Sequence, residues 1–573
     1  MDNKAPLSES LPGKAVLEDY LFYAALQRQQ EEEDPLARSN SLQGSEPASA
    51  NEKKTWISHI VGSAEKTVIQ PHVQLPPMTE NELERANASR ALRLASWASV
   101  FYLITTDILG PFNAPYAISQ VGWVPGVVLY FVMGIAATYS GLVLWKLFIK
   151  LDSLRYPLKT YGDIAERIYG KTAKHICTLL QSLQLIVNVG TICLGNGQAL
   201  AQISNNRLCF AVCIVIFPII GFIIGQIRTL KSYTFLANSA VWINLTIIFI
   251  SMGFVAHSPP NYAAAKQALG VNQGPVLTEK FVTLPLYNRI NGIMNMVFAY
   301  GGAMIFPEIM AEMRRPMDFW KGLVRFKFYL DMGSRTLIMH GPFLQALAQM
   351  VIFVAYLLYG CFIYAFQGQF TLPLAYQGVS KYSWQTVGNV LSLVTGIIAG
   401  GLYGNIGIKV VYINIVEGWF KAPHVMTHRG RIIWTVLVFV YWSIAFVIGS
   451  AIPQIQTITG LIAAIAIMQF SYTFPPLLLL GYNVITDAMS EDGPHVPGSG
   501  GSGRIDTWRN FSRWKRGLFG GSLYSFLFKL FNLVLGLAGL ATACLGMWGA
   551  GEAIKATFAL GGAATSFGCT APV

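Results

Sequence analysis

Eleven apolar stretches follow residue 88, each near the ~20 residues a helix needs to cross a bilayer. They fall near 94–119, 123–148, 175–200, 208–225, 233–257, 290–313, 346–367, 384–415, 432–450, 455–481 and 523–548. In hydrocarbon every backbone N–H and C=O must find its partner inside the segment or its neighbours. A chain built this way is expected to fold as an all-α polytopic membrane protein of 11 transmembrane helices. Composition points the same way. Of 573 residues, 53% are hydrophobic and 12% charged, against about 25% charged in a soluble domain.

Residues 1–88 are polar and rich in Gln, Glu, Ser and Asn, so they are expected to form a disordered cytoplasmic region. Residues 89–573 then make one membrane domain. No secretory signal precedes the first span, which is expected to serve as the export signal itself. Lys and Arg crowd alternate loops, among them Arg155, Lys159, Arg167, Lys171 and Lys174, then Arg314, Arg315 and Lys321, then Arg509, Lys515 and Arg516. The intervening loops carry few. This bias puts the N-terminus in the cytoplasm and, with an odd number of spans, the C-terminus outside. The net charge of +12 therefore reads as topology and not as a nucleic-acid surface. Residues 486–521, with GPHVPGSGGSG, read as a flexible cytoplasmic linker, and 549–573 as an exterior tail. Six of the seven Cys lie in apolar runs and read as small buried hydrophobes, not as a disulfide framework. His424 and His428 are four apart but have no third ligand, so no metal site is assigned. No nucleophile elbow, HExxH or phosphate loop is present, and the chain does not read as an enzyme.

Two spans are interrupted at their middles. The first carries Asp107, Gly110, Pro111, Asn113 and Pro115 within nine positions. The sixth reads INGIMNMVFAYGGAMIFPEIMAEM and is broken at Gly301-Gly302 and Pro307. Counted as two sets of five, these spans hold matching places. Broken spans at matching places point to a transporter binding site. Unpaired backbone cannot face lipid, so it must face protein or a water-filled cavity. Its carbonyls suit a cation or an ammonium group, and the free N–H groups of the following half-helix suit a carboxylate. A zwitterion needs both.

The motifs TDILGPFNAPYA, YGDIAERIYG (161–170), AYGGAMIFPEIMAEMRRPMDF (299–319) and GQFTLPLAYQGVS (368–380) together resemble the amino acid/auxin permease family. Within it the chain is most similar to fungal neutral amino acid permeases. The resemblance covers about residues 85–570. It implies a leucine-transporter-type fold of two inverted five-helix repeats (5+5) with helices 1 and 6 broken. It also implies a secondary active transporter that imports neutral amino acids by proton symport with alternating access. A passive facilitator and an amino acid sensor are the alternatives on the same bundle. The coupling ion is expected to be a proton rather than sodium, with no other cofactor.

Candidate substrate-binding residues are Gly110, Pro111, Asn113 and Ala114 at the first break and Tyr300, Gly301, Gly302 and Ala303 at the second. Asn188 in span three, with Gln184 and Asn196 beside it, and Ser392 and Thr395 in span eight should wall the site. Asn113 is open to two roles, capping the outer half-helix or touching substrate. Tyr300 either closes over the substrate or simply packs. Gly396, Gly400 and Gly404 share one face and read as close helix packing. Intramembrane acids are functional by default, which makes Asp107 and Glu308 the candidates for proton coupling. Glu312 reads as an interfacial ion pair, and Lys409 either pairs with an acid across the bundle or snorkels. Asp163 and Glu166 could lock a cytoplasmic gate, with Arg314 or Arg315 as partners, or be a solvated charged face.

Residues 324–345, between the DFWKG motif and span seven, form an insert that begins Val-Arg and ends in Gln. Those residues can be encoded by intron edges. The segment reads as a retained intron or, if translated, as a cytoplasmic amphipathic insert. The expected partners are the amino acid substrate and the lipid bilayer. Ubiquitin-ligase adaptors are candidate partners at Lys53, Lys54 and Lys66 of the N-terminal region. The expected location is the plasma membrane, with the vacuolar membrane as alternative.

Overall fold

The computed structural model describes residues 16–33, 93, 111–228, 234–313, 316–319, 347–423, 425, 427–451, 454–489, 511–559 and 567–570. The helices in chain order are α1 (Leu17–Glu33), α2 (Ala114–Val121), α3 (Trp123–Leu151), α4 (Tyr161–Tyr169), α5 (Lys171–Ile203), α6 (Phe210–Ile224), α7 (Thr234–Ala256) and α8 (Tyr262–Leu269). Next come α9 (Leu286–Ala299), α10 (Phe306–Glu312), α11 (Leu347–Gln367), α12 (Tyr382–Val411) and α13 (His428–Ala451). The last are α14 (Ile455–Ile462), α15 (Phe474–Met489), α16 (Phe511–Phe519) and α17 (Leu523–Ala559). No strand occurs among the described residues, only an isolated bridge between Pro260 and Val379.

Among those residues, eight helices are long and apolar enough to cross a membrane, and the bent pair α9–α10 makes a ninth. The apolar α6, at 15 residues, is shorter. The first expected span enters the described residues only at Pro111. Helices α6, α7, α13 and α17 present exposed Val212, Ile219, Trp242, Phe249, Phe439 and Leu537 outward. Lipid is the solvent that makes such a surface stable. The buried core runs through α2, α3, α9 and the α14–α15 region, with Ile118, Leu147, Phe148, Met296, Ala463 and Phe470 all inaccessible.

Local sequence explains several joints. Gly122 closes the turn between α2 and α3 at φ +97°, where a Cβ would sit 2.7 Å from the Lys280 carbonyl. At the Thr160 N-cap of α4, the Asp163 carboxylate reaches back to accept from the Thr160 N–H at 3.0 Å. The glycine face of α12 is a packing face: Gly396 lies under Asn196 of α5, and Gly400 and Gly404 lie against Trp442 of α13.

Four expectations need correction. The N-terminal region is not uniformly disordered, because Leu17, Tyr20, Leu21, Ala24, Gln27 and Arg28 share one helical face and dock α1 on the bundle. The polar average of residues 1–88 hides that stripe. The linker expected at 486–521 shrinks, since α15 runs to Met489 and the amphipathic FSRWKRGLF forms α16. The tail expected at 549–573 starts later, since α17 continues to Ala559. Finally, Cys209 is bonded to Cys569 across 360 residues of sequence. Backbone bonds from Phe210 N to Cys569 O (3.1 Å) and Phe567 N to Ser450 O (3.2 Å) seat the C-terminal segment beside α6 and α13. Cys209 begins α6 instead of lying inside a lipid-buried run, so its thiol was available to the tail. The insert 324–345 lies outside the described residues, as do Lys53, Lys54 and Lys66.

Candidate functional site at the helix breaks

The first break is the three-residue 3-10 turn Pro111–Asn113, which leads into α2. Asn113 holds the N-cap position of α2, yet its side chain makes no capping bond. Instead its Nδ2 donates to Asn295 Oδ1 on α9. Asn295 is held in turn: its Nδ2 donates to the Asn291 carbonyl (2.8 Å) and to the Gln456 carbonyl (3.3 Å). Thr459 Oγ1 lies 2.6 Å from Asn295 Oδ1. One amide thus joins the first break, α9 and α14.

The second break falls at Tyr300. Helix α9 ends at Ala299, a 3-10 turn spans Gly301–Ile305, and α10 leaves at 44° to α9. The Tyr300 carbonyl, freed from helical pairing, accepts from Ser471 Oγ at 3.2 Å. Ser471 sits in the second of two π-helical stretches, Ala463–Ile467 and Gln469–Thr473. Wide π turns recur where a helix must re-aim side chains at a site.

Between the breaks lies a cavity of about 220 Å³. Asn113, Ala114, Asn188, Gly301, Gly302, Ser392 and Thr395, all named from the sequence, line it. So do Asn196, Asn295, Phe298, Tyr356, Tyr376 and Thr459. No charged side chain lines it among the described residues. The Oδ1 atoms of Asn113 and Asn188 are buried there with no hydrogen-bond partner, leaving polar capacity unspent. Tyr300 and Ala303, also named from the sequence, are placed differently. Both are buried and neither lines the cavity. Tyr300 turns its ring toward Tyr130 and donates its hydroxyl to the Tyr130 carbonyl at 3.1 Å, so it supports the break from behind. Gln184 lies buried outside the cavity wall. Asp107 and Gly110 lie outside the described residues, and Pro111 opens the 3-10 turn.

A larger vestibule of about 730 Å³ sits at the end of the bundle that carries α8. Tyr116, Gln120, Asn291 and Gln456 line its floor side. Asn291 and Gln456 are the groups that hold Asn295, so a single amide layer separates vestibule from cavity.

The opposite end, which carries α4, is closed by a charged layer. Glu308 is buried on α10. Its Oε1 accepts from the Tyr161 N–H at 3.0 Å, the first of α4, and from Gln181 Nε2 at 2.7 Å on α5. Gln181 also donates to the Met304 carbonyl at 2.8 Å. Glu312 pairs with Lys409 of α12 at 2.6 Å, which realises the cross-bundle option for that lysine. Asp163 and Glu166 both pair with Lys174, at 2.8 and 2.7 Å. They are therefore not a plain solvated face, while Arg314 and Arg315, the other partners considered, lie outside the described residues. Burial disfavours the ionised Asp163, but Lys174 and the Lys159 N–H outweigh it and hold the carboxyl below its usual range.

Sequence reasoning missed Asn295, Thr459, Tyr376 and Gln181. Asn295 carried a signal, since a polar amide in the middle of an apolar span is costly unless it works. Tyr376 comes from the segment between α11 and α12, where no span pattern could find it.

This arrangement defines a polytopic helical membrane protein with a central polar, uncharged site at two helix breaks. Residues 93–330, the stretch that holds both breaks, match the family model described as transmembrane amino acid transporter protein. An N amino acid transport system protein of Neurospora crassa is 25% identical over 397 residues, covering 66% of this chain and 74% of its own. A transmembrane transporter of Fusarium pseudograminearum is 22% identical over 399 residues, covering 67% and 75%. A lysine histidine transporter-like protein of Arabidopsis thaliana is 23% identical over 283 residues, covering 45% and 59%. Among solved structures, a Na+-coupled sialic acid symporter aligns with a TM-score of 0.43 at 10% identity, covering 81% of this chain and 97% of that one. A nucleobase-cation-symport-1 family transporter aligns at 0.40 and 14%, covering 82% and 94%.

Proposed function

We propose that this protein is a secondary active transporter that imports neutral amino acids with protons by alternating access. On this reading it has eleven spans in two inverted sets of five, with the first and sixth broken at the substrate site. The observation that carries the proposal is the cavity between the breaks. It offers amides, hydroxyls and freed backbone to a zwitterionic head group, and apolar and aromatic walls to a side chain. It offers no counter-charge to a cationic or anionic side chain, and burying an unpaired charge there would be costly. Its volume suits one small solute.

Glu308 is the group we assign to proton coupling, because it alone among the described acids is buried between α10, α4 and α5 with no cationic partner in its shell. Orientation draws support from the Cys209–Cys569 bond. Disulfides persist on an oxidising side, and this one lies where the charge pattern puts the exterior. The α4 end is then cytoplasmic, and the vestibule faces outward at the plasma membrane.

Uptake of a panel of labelled amino acids in a permease-deficient cell, with external pH varied, tests the reading. Accumulation of neutral amino acids that rises as external pH falls is expected. Uptake that merely equilibrates, or that favours charged amino acids, overturns it.

A further inference from the structure

The transport reading leaves α1 unused, yet α1 is bound to the molecule by some of its most buried charges. Arg28 Nη2 lies 3.1 Å from Asp152 Oδ2 and 3.2 Å from the Asp152 carbonyl. Arg93, just before the first span, donates to both carboxylate oxygens of the same residue at 2.8 and 2.9 Å. Asp152 is fully buried, so its charge depends on these two arginines. Gln27 Oε1 accepts from the Leu154 N–H at 2.6 Å. Arg155 donates to Tyr23 Oη at 2.9 Å, and Arg167 lies 4.3 Å over the Tyr20 ring. Leu17, Tyr23 and Ala24 are buried beneath these contacts.

The loop that α1 grips is the one that positions α4. Asp152 Oδ1 also accepts from the Leu158 N–H at 3.1 Å, which fixes the chain two residues before the Thr160 cap. The N–H of Tyr161 then bonds Glu308 on α10, the second half of the broken span. A continuous set of contacts therefore runs from α1 through Asp152 and α4 to α10. Opening the α4 end requires α4 and α10 to separate, and α1 spans the loop that would move.

We infer that α1 is a latch, an intramolecular ligand of the α4-end gate that stabilises the closed state and must release before that end opens. The inference rests on the alternating-access reading. It makes the N-terminal segment a regulator of transport rate, since anything that draws residues 17–33 away would favour opening.

Cys177 supplies the reporter. It is buried on α5 within the core that packs Tyr161 and Phe306, so it meets soluble reagent only when α4 lifts. The experiment measures maleimide labelling of Cys177 in permeabilised cells. The full-length protein is used with Cys193, Cys213, Cys361 and Cys544 changed to alanine and the Cys209–Cys569 bond kept. Removing residues 1–34 is expected to speed labelling at least about fivefold, the lower end of typical coupling between sites. Arg28→Ala should act in the same direction, with Arg28→Lys between it and the unaltered protein. A peptide of residues 16–34 added to the truncated protein should slow labelling again. Labelling within twofold of the unaltered protein in all variants overturns the latch. If truncation prevents folding, seen as loss of the disulfide on a non-reducing gel, Arg28→Lys decides: unchanged labelling overturns the proposal and faster labelling supports it. Labelling needs no transported solute, so a failed uptake panel with fast labelling counts against the transport reading alone.

Discussion

Around the central cavity, Asn113 and Asn188 keep buried oxygens without partners, and the walls carry no charge among the described residues. In the layer at the α4 end, Glu308, Glu312, Asp163 and Glu166 each have a donor or cation at 3.0 Å or less. Both regions draw on the broken sixth span, the cavity at Gly301 and Gly302 and the layer at Glu308. They differ in charge. The cavity offers a solute buried acceptors, each costing about 1–3 kcal/mol while it lacks a donor. The layer also leaves Glu308 Oε2 and Gln181 Oε1 without a partner, but its acids are tied to donors and cations on α4, α5 and α12, and those bonds resist separation. On the proposed transport reading, the first region is where solute binds and the second is the barrier it must pass.

The largest expected effect comes from removing the amide that organises the cavity. Asn295→Ala strips a partner from Asn113 and Thr459 and leaves the Gln456 carbonyl short of a donor. A loss of about 2 kcal/mol is expected, or roughly thirtyfold in apparent affinity for the transported amino acid. If affinity holds and only stability falls, the cavity is not the binding region. Next comes the layer. Glu308→Gln keeps the geometry of the Tyr161 and Gln181 contacts but removes the titrating group. The dependence of accumulation on external pH should flatten, losing up to about tenfold across one pH unit, while exchange of amino acid across the membrane persists. If both Glu308→Gln and Asp107→Asn keep pH-dependent accumulation, the layer carries no proton. A smaller effect is expected at Lys409 and Glu312. Each single change, Lys409→Met or Glu312→Gln, should cost more than the double variant, with a coupling of about 1 kcal/mol in a cycle read by thermal unfolding.

Legibility in the sequence followed the same division. Apolar runs and their two Gly/Pro interruptions located the breaks, because lipid forbids irregular backbone unless something uses it. Seven lining residues of the cavity came from that constraint together with the family resemblance. What stayed hidden were partners made by packing across long sequence distance. Asn295 finds Asn113 across 182 positions, and Gln181 finds Glu308 across 127. Periodicity places each residue on a face, but it does not say which face of another helix will meet it. Tyr300 shows a choice that the sequence leaves open. It stands at the break in sequence, yet its rotamer carries the ring behind the break to Tyr130. The α1 helix was concealed by averaging, since a six-residue stripe of apolar and long polar side chains disappears in an 88-residue polar composition.

The smallest effect tests whether the layer is matched in solution as it is in the fold. Asp163 is held below the usual carboxylate range by Lys174 and the cap of α4, against the opposing effect of burial. A carboxyl whose folded pKa is depressed adds stability that is complete above the unfolded value, near 3.9, and is lost as pH falls through the folded one. The thermal midpoint should therefore hold level from pH 7 to about 5 and drop only below about 4. Asp163→Asn should lower it at pH 7 by the equivalent of about 0.5–1 kcal/mol, since the pair with Lys174 is partly exposed. The gap between variant and unaltered protein should close in acid, where both lack the charge. A gap that stays constant with pH would mean that the contribution is packing and not the ion pair. In that case α4 resists opening by shape at Asp163, and the contrast between an uncharged cavity and a barrier held by ion pairs would rest on the Glu312–Lys409 pair.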